Sequence, residues 1–306
     1  MPNEPTGYYH YRQPSRRQPP KKRRRWPAWL ALVVLAVGGY YAFRLSGGDI
    51  HLWRTKPASD KAAAAAKPVL SATAASVLSS QINSVINTYP DMDIGVSIED
   101  LNNDQRYHYG ISNPFIAASI SKVLTATLFL HEVQLGQQTL NEDVDGYTAR
   151  YELQQLIEIS DDNAWANLND LLTHNALSSY AQQIGLQNYD PDQNTLTVDD
   201  ISLLLAKLYE GELLNAADTK LLITYLHDAN YDNWIVASVP AGVKVYHKIG
   251  FLDDRVHDAA IIDNGKHPYV LVIFTKTDDD SDYDDTEGHQ IFAAITTASV
   301  QAFIGQ

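Results

Sequence analysis

Cysteine is absent from the 306 residues of this chain. Its absence excludes a disulfide framework, a thiolate nucleophile and a cysteine-ligated metal. Ten histidines are present, but none falls in a His-Glu-x-x-His pattern or in another spacing that is typical of a metal site. The sequence therefore predicts neither a metal nor a cofactor.

Basic residues are scarce in most of the chain. From residue 68 onward there are ten Lys or Arg residues against 34 Asp or Glu residues, a net charge of -24. Nucleic-acid binding needs a basic surface, so the composition excludes that function here and favours solubility outside the cell. Residues 1–25 have the opposite balance, with eight Lys or Arg residues and one Glu.

An uncharged stretch follows this basic segment, at residues 26–43. As a helix its 18 residues would span about 27 Å, enough for the apolar core of a bilayer, and aromatic residues flank both ends. With basic residues on the cytoplasmic side, the pattern predicts a single-pass cell-membrane protein with a cytoplasmic tail at 1–25, a flexible linker at 44–69 and an extracytoplasmic domain at 70–306. A cleaved signal peptide and a nucleic-acid patch at residues 21–25 are the alternatives. The oligomeric state is not predicted.

Residues 70–306 combine strand and helix periodicities in a defined order. An N-terminal helix and a hairpin come first, several helices follow, and three strands and a last helix complete the chain. The predicted helices are 71–87, 119–134, 152–172, 176–184, 198–209, 216–227 and 288–303, and the predicted strands are 94–99, 105–109, 244–248, 257–262 and 269–275. This order predicts a mixed α/β (α+β) fold with an antiparallel sheet built from both termini, flanking helices and an all-helical subdomain.

A candidate catalytic motif, Ser-Ile-Ser-Lys, begins the predicted helix 119–134. Residues three apart lie on one face of a helix, so Lys122 can reach the hydroxyl of Ser119. A lysine activates a serine only if burial lowers its pKa, and the neighbouring residues are apolar enough for that. Taken alone, the motif is more often a helix-capping serine followed by a solvated lysine.

Two further segments accompany this motif. Ser-Asp-Asp-Asn stands at residues 160–163, ahead of an Ala- and Asn-rich helix, and Lys-Ile-Gly stands at 248–250, ahead of two strands. The three segments, in this order, resemble the Ser-x-x-Lys, Ser-Asp-Asn and Lys-Thr-Gly motifs of class A β-lactamases and penicillin-binding serine hydrolases. The resemblance covers roughly residues 70–306 and implies a β-lactamase/transpeptidase-like fold.

The resemblance also implies catalytic roles. Ser119 would be the nucleophile and Lys122 its activating base, while Ser160 would relay a proton to the leaving nitrogen.

Substrate-binding roles follow in the same way. Lys248 would hold the substrate carboxylate and help to keep Lys122 neutral. Gly250 precedes Phe251 on an edge strand, and the backbone N–H groups of Phe251 and Ser119 would form the oxyanion hole.

The second motif permits two registers. Aligning Ser160 keeps the hydroxyl and puts Asp162 where the family has Asn, and this register is preferred because it retains the proton relay. Aligning Asn163 keeps the amide but puts Asp161 where the Ser should be. An ionised Asp162 would add a negative charge near the acyl amide and could not donate a hydrogen bond.

Two other departures from the family affect affinity and turnover. Ile249 replaces the Thr whose hydroxyl binds the substrate carboxylate, a loss of about 1 to 3 kcal/mol. No Glu occurs between Glu158 and Glu210, where class A β-lactamases carry the loop glutamate that activates the deacylating water. Only Asp190 or Asp192 could replace it, and only if the loop folds back over Ser119.

The resulting expectation is a membrane-anchored extracytoplasmic serine hydrolase. It would form an acyl-enzyme on Ser119 with a β-lactam or a D-Ala-D-Ala-type peptidoglycan stem peptide, with β-lactamase turnover and long-lived acylation as competing outcomes. The alternative is a degenerate wall-binding protein that retains the fold without catalysis.

Overall fold

The computed structural model describes residues 67–277 and 281–305. No helix in these two ranges combines the length and apolarity needed to cross a bilayer. The predicted tail, transmembrane helix and most of the linker lie outside the described residues.

Eight α-helices and nine strands form the described part of the chain. The helices are α1 (Ala72–Thr88), α2 (Lys122–Gln134), α3 (Ala149–Glu158), α4 (Asp162–Leu172), α5 (His174–Ile184), α6 (Val198–Tyr209), α7 (Ala216–His227) and α8 (Asp285–Phe303). The strands are β1 (Met92–Asp100), β2 (Gln105–Gly110), β3 (Phe115–Ile116), β4 (Asp143–Val144), β5 (Tyr147–Thr148), β6 (Thr195–Leu196), β7 (Lys244–Leu252), β8 (Arg255–Asp263) and β9 (Tyr269–Thr277).

Five of these strands form an antiparallel sheet in the order β2-β1-β9-β8-β7. The hairpin β1-β2 comes from the start of the domain and β7 to β9 come from its end, so the predicted sheet built from both termini is confirmed. Strand β7 forms one edge of the sheet. Its position matters because its outer side borders the candidate site.

Alternation along the central strand creates two hydrophobic cores. On β9, Val270, Val272 and Phe274 face a core shared with the helical region, whereas Leu271 and Ile273 face a second core. Helices α1 and α8 cover this second core, for example through Leu78 of α1 and the Phe and Ile side chains of α8. Because both faces are covered, the central strands are apolar on both sides.

Local capping explains where several helices begin. The hydroxyl of Ser71 accepts a hydrogen bond from the Ala74 N–H at the start of α1. At α6, Thr197 and Asp200 form a capping box in which each side chain accepts from the other's backbone N–H. Both helices therefore start within a residue of the predicted position.

Two helices that were predicted as continuous are interrupted in the structure, so these two predictions are wrong. The segment 119–134 begins as a 3-10 turn at Ala118–Ser121, and only then does α2 start at Lys122. The segment 152–172 is two helices, α3 and α4, separated by residues 159–161. Both breaks lie in the candidate site and have a tertiary cause, described below.

Candidate active site

The 3-10 turn Ala118–Ser121 carries the predicted nucleophile. Ala118 has a positive φ of 49°, which is unfavourable for a residue with a Cβ, and it directly precedes the half-buried Ser119. The Ser119 hydroxyl has no hydrogen-bond partner in the described part of the chain. Ser119 and Lys122 therefore lie on adjacent turns of different helical type rather than on one α-helix.

Lys122 is fully buried at the start of α2, with 0% of its side chain exposed. Its Nζ donates to the Ser160 carbonyl at 2.7 Å, to the Ser160 hydroxyl at 3.3 Å and to Asp162 Oδ1 at 2.5 Å. Burial lowers the pKa of Lys122, and the hydrogen bond and charge of Asp162 oppose that shift. The indole of Trp165 lies beside this amine, with the ring centroid 5.5 Å from Nζ.

The short loop between α3 and α4 brings Ser160 and Asp162 to Lys122. Ser160 has a positive φ of 58°, which turns both its carbonyl and its hydroxyl toward Nζ. Asp161 caps the N-terminus of α4, because its Oδ1 accepts from the N–H groups of Asn163 and Ala164 at 2.8 and 3.1 Å. This cap and the lysine contacts explain why the chain breaks between the two helices.

The two registers of the second motif differ in this geometry. Ser160 and Asp162 both contact Lys122, whereas Asn163 is exposed on the surface of α4. The arrangement favours the register that aligns Ser160.

The edge strand β7 packs directly against the nucleophile turn. A Cβ on Gly250 would lie 2.8 Å from Ser119 N and 2.9 Å from the Ala117 carbonyl oxygen, so only glycine allows this approach. The next residue, Phe251, has a side chain that is 54% exposed at the rim. The backbone of Gly250, just before Phe251, therefore lies against the backbone N–H of Ser119.

Lys248, two residues before Gly250, is buried on β7, and its Nζ donates to the Ile249 carbonyl at 3.1 Å. Burial and the nearby charge of Lys122 lower its pKa to about 7, while Asp258 and Asp162 oppose the shift. The Ile249 side chain lies in the second hydrophobic core. The third motif therefore supplies a cation but no hydroxyl.

His257 of β8 supports the strand that leads into the nucleophile turn. Its Nε2 lies 3.0 Å from the Ile116 carbonyl oxygen, and its ring stacks on Phe274 with centroids 4.2 Å apart. Burial lowers the pKa of His257 to about 4, so the ring is neutral near pH 7 and donates to the carbonyl through Nε2.

A model of the beta-lactamase enzyme family matches residues 77–303. The chain belongs to this family. Curated proteins gave no significant match.

Solved structures of the same family share the fold. PBP-A is 24% identical with a TM-score of 0.68, covering 75% of this chain and 96% of that one. A PBP-A mutant, solved as an acyl-enzyme complex with penicillin G, is 23% identical with a TM-score of 0.69, covering 76% and 97%. The beta-lactamase from Sphaerobacter thermophilus is 22% identical with a TM-score of 0.66, covering 74% and 96%. An ancestral class A beta-lactamase is 22% identical with a TM-score of 0.68, covering 74% and 100%.

The loop at 185–197, between α5 and α6, folds against the nucleophile turn. The Asn194 carbonyl accepts from Ala117 N at 2.7 Å, and the Asn194 side-chain amide donates to the Ala118 carbonyl at 2.9 Å. Two hydrogen bonds from one residue thus flank the strained Ala118. Asn194 itself has a φ of 50°, which asparagine tolerates better than most residues.

The carboxylates of this loop are committed elsewhere. Asp190 Oδ1 accepts from the N–H groups of Asp192 and Gln193 at 2.8 and 3.1 Å, and Asp192 Oδ1 lies 2.7 Å from Nδ1 of His174. Within the described residues neither carboxylate contacts Ser119 or Lys122. The loop side chain that contacts the turn carrying Ser119 is therefore the amide of Asn194 rather than a carboxylate.

Sequence reasoning missed the positioning contacts of Asn194 and His257. The amide of Asn194 belongs to none of the three motifs. His257 is also outside them, and its contact with Ile116 joins residues that are 141 positions apart in the sequence. The sequence contains one usable signal for Asn194: asparagine tolerates a positive φ better than most residues, which favours a turn at this position.

Proposed function

We propose that this protein is a serine hydrolase that forms an acyl-enzyme on Ser119 with β-lactams or D-Ala-D-Ala-type cell-wall peptides. The observation that carries the proposal is the buried Lys122, which contacts the Ser160 hydroxyl one turn from a Ser119 held against the edge strand. The PBP-A acyl-enzyme with penicillin G is a relative in which such an adduct has been solved.

Acylation would proceed through groups that the site contains. Neutral Lys122 accepts the proton of the Ser119 hydroxyl as Oγ attacks the carbonyl carbon. The oxyanion accepts hydrogen bonds from the backbone N–H groups of Ser119 and Phe251. Lys122 then returns the proton through the Ser160 hydroxyl to the leaving nitrogen, the C–N bond breaks and an ester remains on Ser119.

Lys248 would bind the substrate carboxylate. With a pKa of about 7, it is a cation at lower pH and loses its charge as the pH rises through neutrality. With Ile249 in the core and no hydroxyl beside it, this single charge would carry carboxylate recognition.

Slow release of the acyl group is the expected second half of the reaction. Deacylation needs a general base at a water beside the ester. Asp190 and Asp192 are bonded within their loop, and Asn194 faces the turn instead. We therefore infer penicillin-binding behaviour with a long-lived ester rather than efficient β-lactamase turnover.

A membrane tether is part of the proposal. Residues 26–43 would anchor the protein to the cell membrane, with residues 1–25 in the cytoplasm and the hydrolase domain outside, where cell-wall peptides lie. Two experiments on the intact chain would test this. In cell fractionation the hydrolase domain should stay with the membranes, and in intact spheroplasts an added protease should digest it.

The test of the chemistry is intact mass after incubation with penicillin G, compared between the wild type and Ser119→Ala. One added penicillin mass on the wild type and none on the variant is expected. An unmodified wild type, or equal labelling of the variant, would refute the proposal. Nitrocefin hydrolysis continuing well beyond one equivalent would show turnover and refute the slow release.

A non-catalytic wall-binding protein is the second candidate. The observation that favours it is that the three hydrogen bonds of Lys122 go to Ser160 and Asp162, and none goes to Ser119. It predicts peptidoglycan binding that survives Ser119→Ala, together with no covalent label from any β-lactam.

A further inference from the structure

The carboxylate of Asp162 lies between the buried Lys122 and solvent. Its Oδ1 is 2.5 Å from Nζ, the lysine side chain is 0% exposed and the aspartate side chain is 77% exposed. A ligand that approaches Lys122 from solvent therefore meets Asp162. An ionised carboxylate only accepts hydrogen bonds, so it repels a carbonyl oxygen and attracts an N–H group or a cation.

The same contact stabilises the charged form of Lys122 and opposes the effect of burial. An ammonium has three protons, and three acceptors surround Nζ: the Ser160 carbonyl, the Ser160 hydroxyl and Asp162. A base must instead be a neutral amine with a free lone pair. As long as Asp162 remains its counter-ion, the charged form of Lys122 is favoured over the form that can accept the Ser119 proton.

We propose that Asp162 makes this site selective for acyl donors whose side chain, next to the scissile amide ring or its peptide equivalent, carries a cationic group such as an ammonium. The inference rests on the proposed acylation of Ser119. When the substrate cation pairs with Asp162, Lys122 loses its counter-ion and gains a like charge nearby. Its ammonium then releases one proton to water, and the neutral amine that remains can accept the proton of Ser119.

Lys248 supplies the complementary half of this recognition. It lies on β7, near enough to Asp162 for the two charges to interact, and is the cation available to a substrate carboxylate. A site with a cation on β7 and an exposed carboxylate on α4 fits a dipolar substrate. The preferred class is therefore zwitterionic, with an anionic group toward β7 and a cationic group toward α4.

A second exposed carboxylate, at the rim of the cleft, also attracts cationic ligands. The Glu158 carbonyl accepts hydrogen bonds from Asn230, and Tyr231 contacts the ring of Phe251, so the segment between α7 and β7 borders the site. This segment carries Asp232, whose side chain is 71% exposed. Its negative charge raises the local concentration of cationic ligands over a distance of about one Debye length, near 10 Å at 0.1 M salt.

The test compares three penicillins that share the phenylacetyl side chain and differ at its α-carbon. Ampicillin carries an amino group, penicillin G carries hydrogen and carbenicillin carries a carboxylate. Acylation of the full chain is followed by intact mass, at low salt and at a pH where the ampicillin amine is protonated. The wild type should react in the order ampicillin, penicillin G, carbenicillin, with about a fivefold spread or more between the extremes, as expected for a charge pair near the surface.

Two variants separate the contact from the general charge of the rim. Asp162→Asn should reduce the spread to less than twofold, because the amide has no charge and can donate to a carbonyl oxygen. Asp232→Asn is the matched control, since it removes an equally exposed carboxylate that does not touch Lys122, and it should keep the order. Higher salt should narrow the wild-type spread.

The outcomes are distinguishable from failure of the proposed function. Acylation of the wild type at equal rates by all three penicillins, or fastest by carbenicillin, overturns the selectivity while acylation of Ser119 stands. Retention of the wild-type order by Asp162→Asn overturns the role of that residue. No adduct with any of the three overturns the proposed function, and the selectivity with it.

Discussion

Gly250→Ala should separate the edge strand from the nucleophile turn. In the present structure a Cβ at this position would lie 2.8 Å from Ser119 N and 2.9 Å from the Ala117 carbonyl oxygen, whereas ordinary contact begins near 3.4 Å. Both neighbours are backbone atoms, so no flexible side chain can move aside. The strand must retreat by about 0.6 Å to relieve the contact, or the turn must distort by a similar amount.

A shift of this size is large for the proposed oxyanion hole. An N–H···O bond of about 2.9 Å would lengthen to about 3.5 Å, where it contributes little. Misplacement of reacting groups by about 1 Å can lower a rate by about 100-fold, and losing one oxyanion donor costs about 100- to 1,000-fold. We therefore expect Gly250→Ala to acylate about 100-fold more slowly, a loss of about 2.7 kcal/mol of transition-state stabilisation.

The assay is the rate of the penicillin G adduct by intact mass, with the unfolding midpoint measured beside it. Leu252→Ala is the control, because it shortens an exposed side chain on the same strand and leaves the backbone in place. It should acylate within about threefold of the wild type. The reasoning fails if Gly250→Ala also acylates within threefold of the wild type while remaining folded, because β7 would then not hold the turn.

Three further substitutions or conditions have defined expectations. Asn194→Ala should slow acylation about tenfold with little change in the initial binding constant, because Ala118 loses one of the hydrogen bonds that hold its strained backbone. Acylation rate constants that are equal for the variant and the wild type, measured across a series of penicillin concentrations, would contradict this. Binding of a carboxylate-bearing substrate should weaken as pH rises through about 7, since Lys248 loses its charge there, and Lys248→Ala should abolish that pH dependence of the dissociation constant. Phe292→Ala should lower the free energy of unfolding by about 3 to 5 kcal/mol in urea titrations, because it leaves a cavity where a fully buried ring packs with its centroid 5.1 Å from that of the Trp234 ring. A loss below about 1 kcal/mol would show that the surrounding core fills this cavity.

Strong local patterns explain the parts of the fold that the sequence predicted well. Helices 198–209 and 216–227 have the predicted bounds, because Thr197 and Asn215 cap their first turns and apolar residues recur at helical spacing. The sheet built from both termini followed from alternating strands at each end of the domain. These features depend on residues close together in sequence.

The breaks at Ala118 and Ser160 depend on residues far apart. The local sequence around Ala118 favours helix, and Asp161 caps α4 without indicating a positive φ at Ser160. Asn194, 76 residues after Ala118, holds the first, and Lys122, 38 residues before Ser160, holds the second. Such contacts override local propensity only once the chain has folded, which is why the motif residues were predictable and the backbone that orients them was not.

Ser119 and Lys122 differ in what the fold requires of them, and this decides what their variants can prove. The Ser119 hydroxyl has no hydrogen-bond partner in the ranges that the structure describes, so removing it leaves no described group without its bond. Lys122 is fully buried and satisfies Asp162 and both oxygens of Ser160, a residue with strained backbone. Removing the lysine leaves the carbonyl and hydroxyl oxygens of the half-buried Ser160 without their partner, which costs about 1 to 3 kcal/mol for each oxygen that water does not reach. Loss of labelling in Ser119→Ala therefore reports on chemistry, whereas the same loss in Lys122→Ala also reports on a displaced loop.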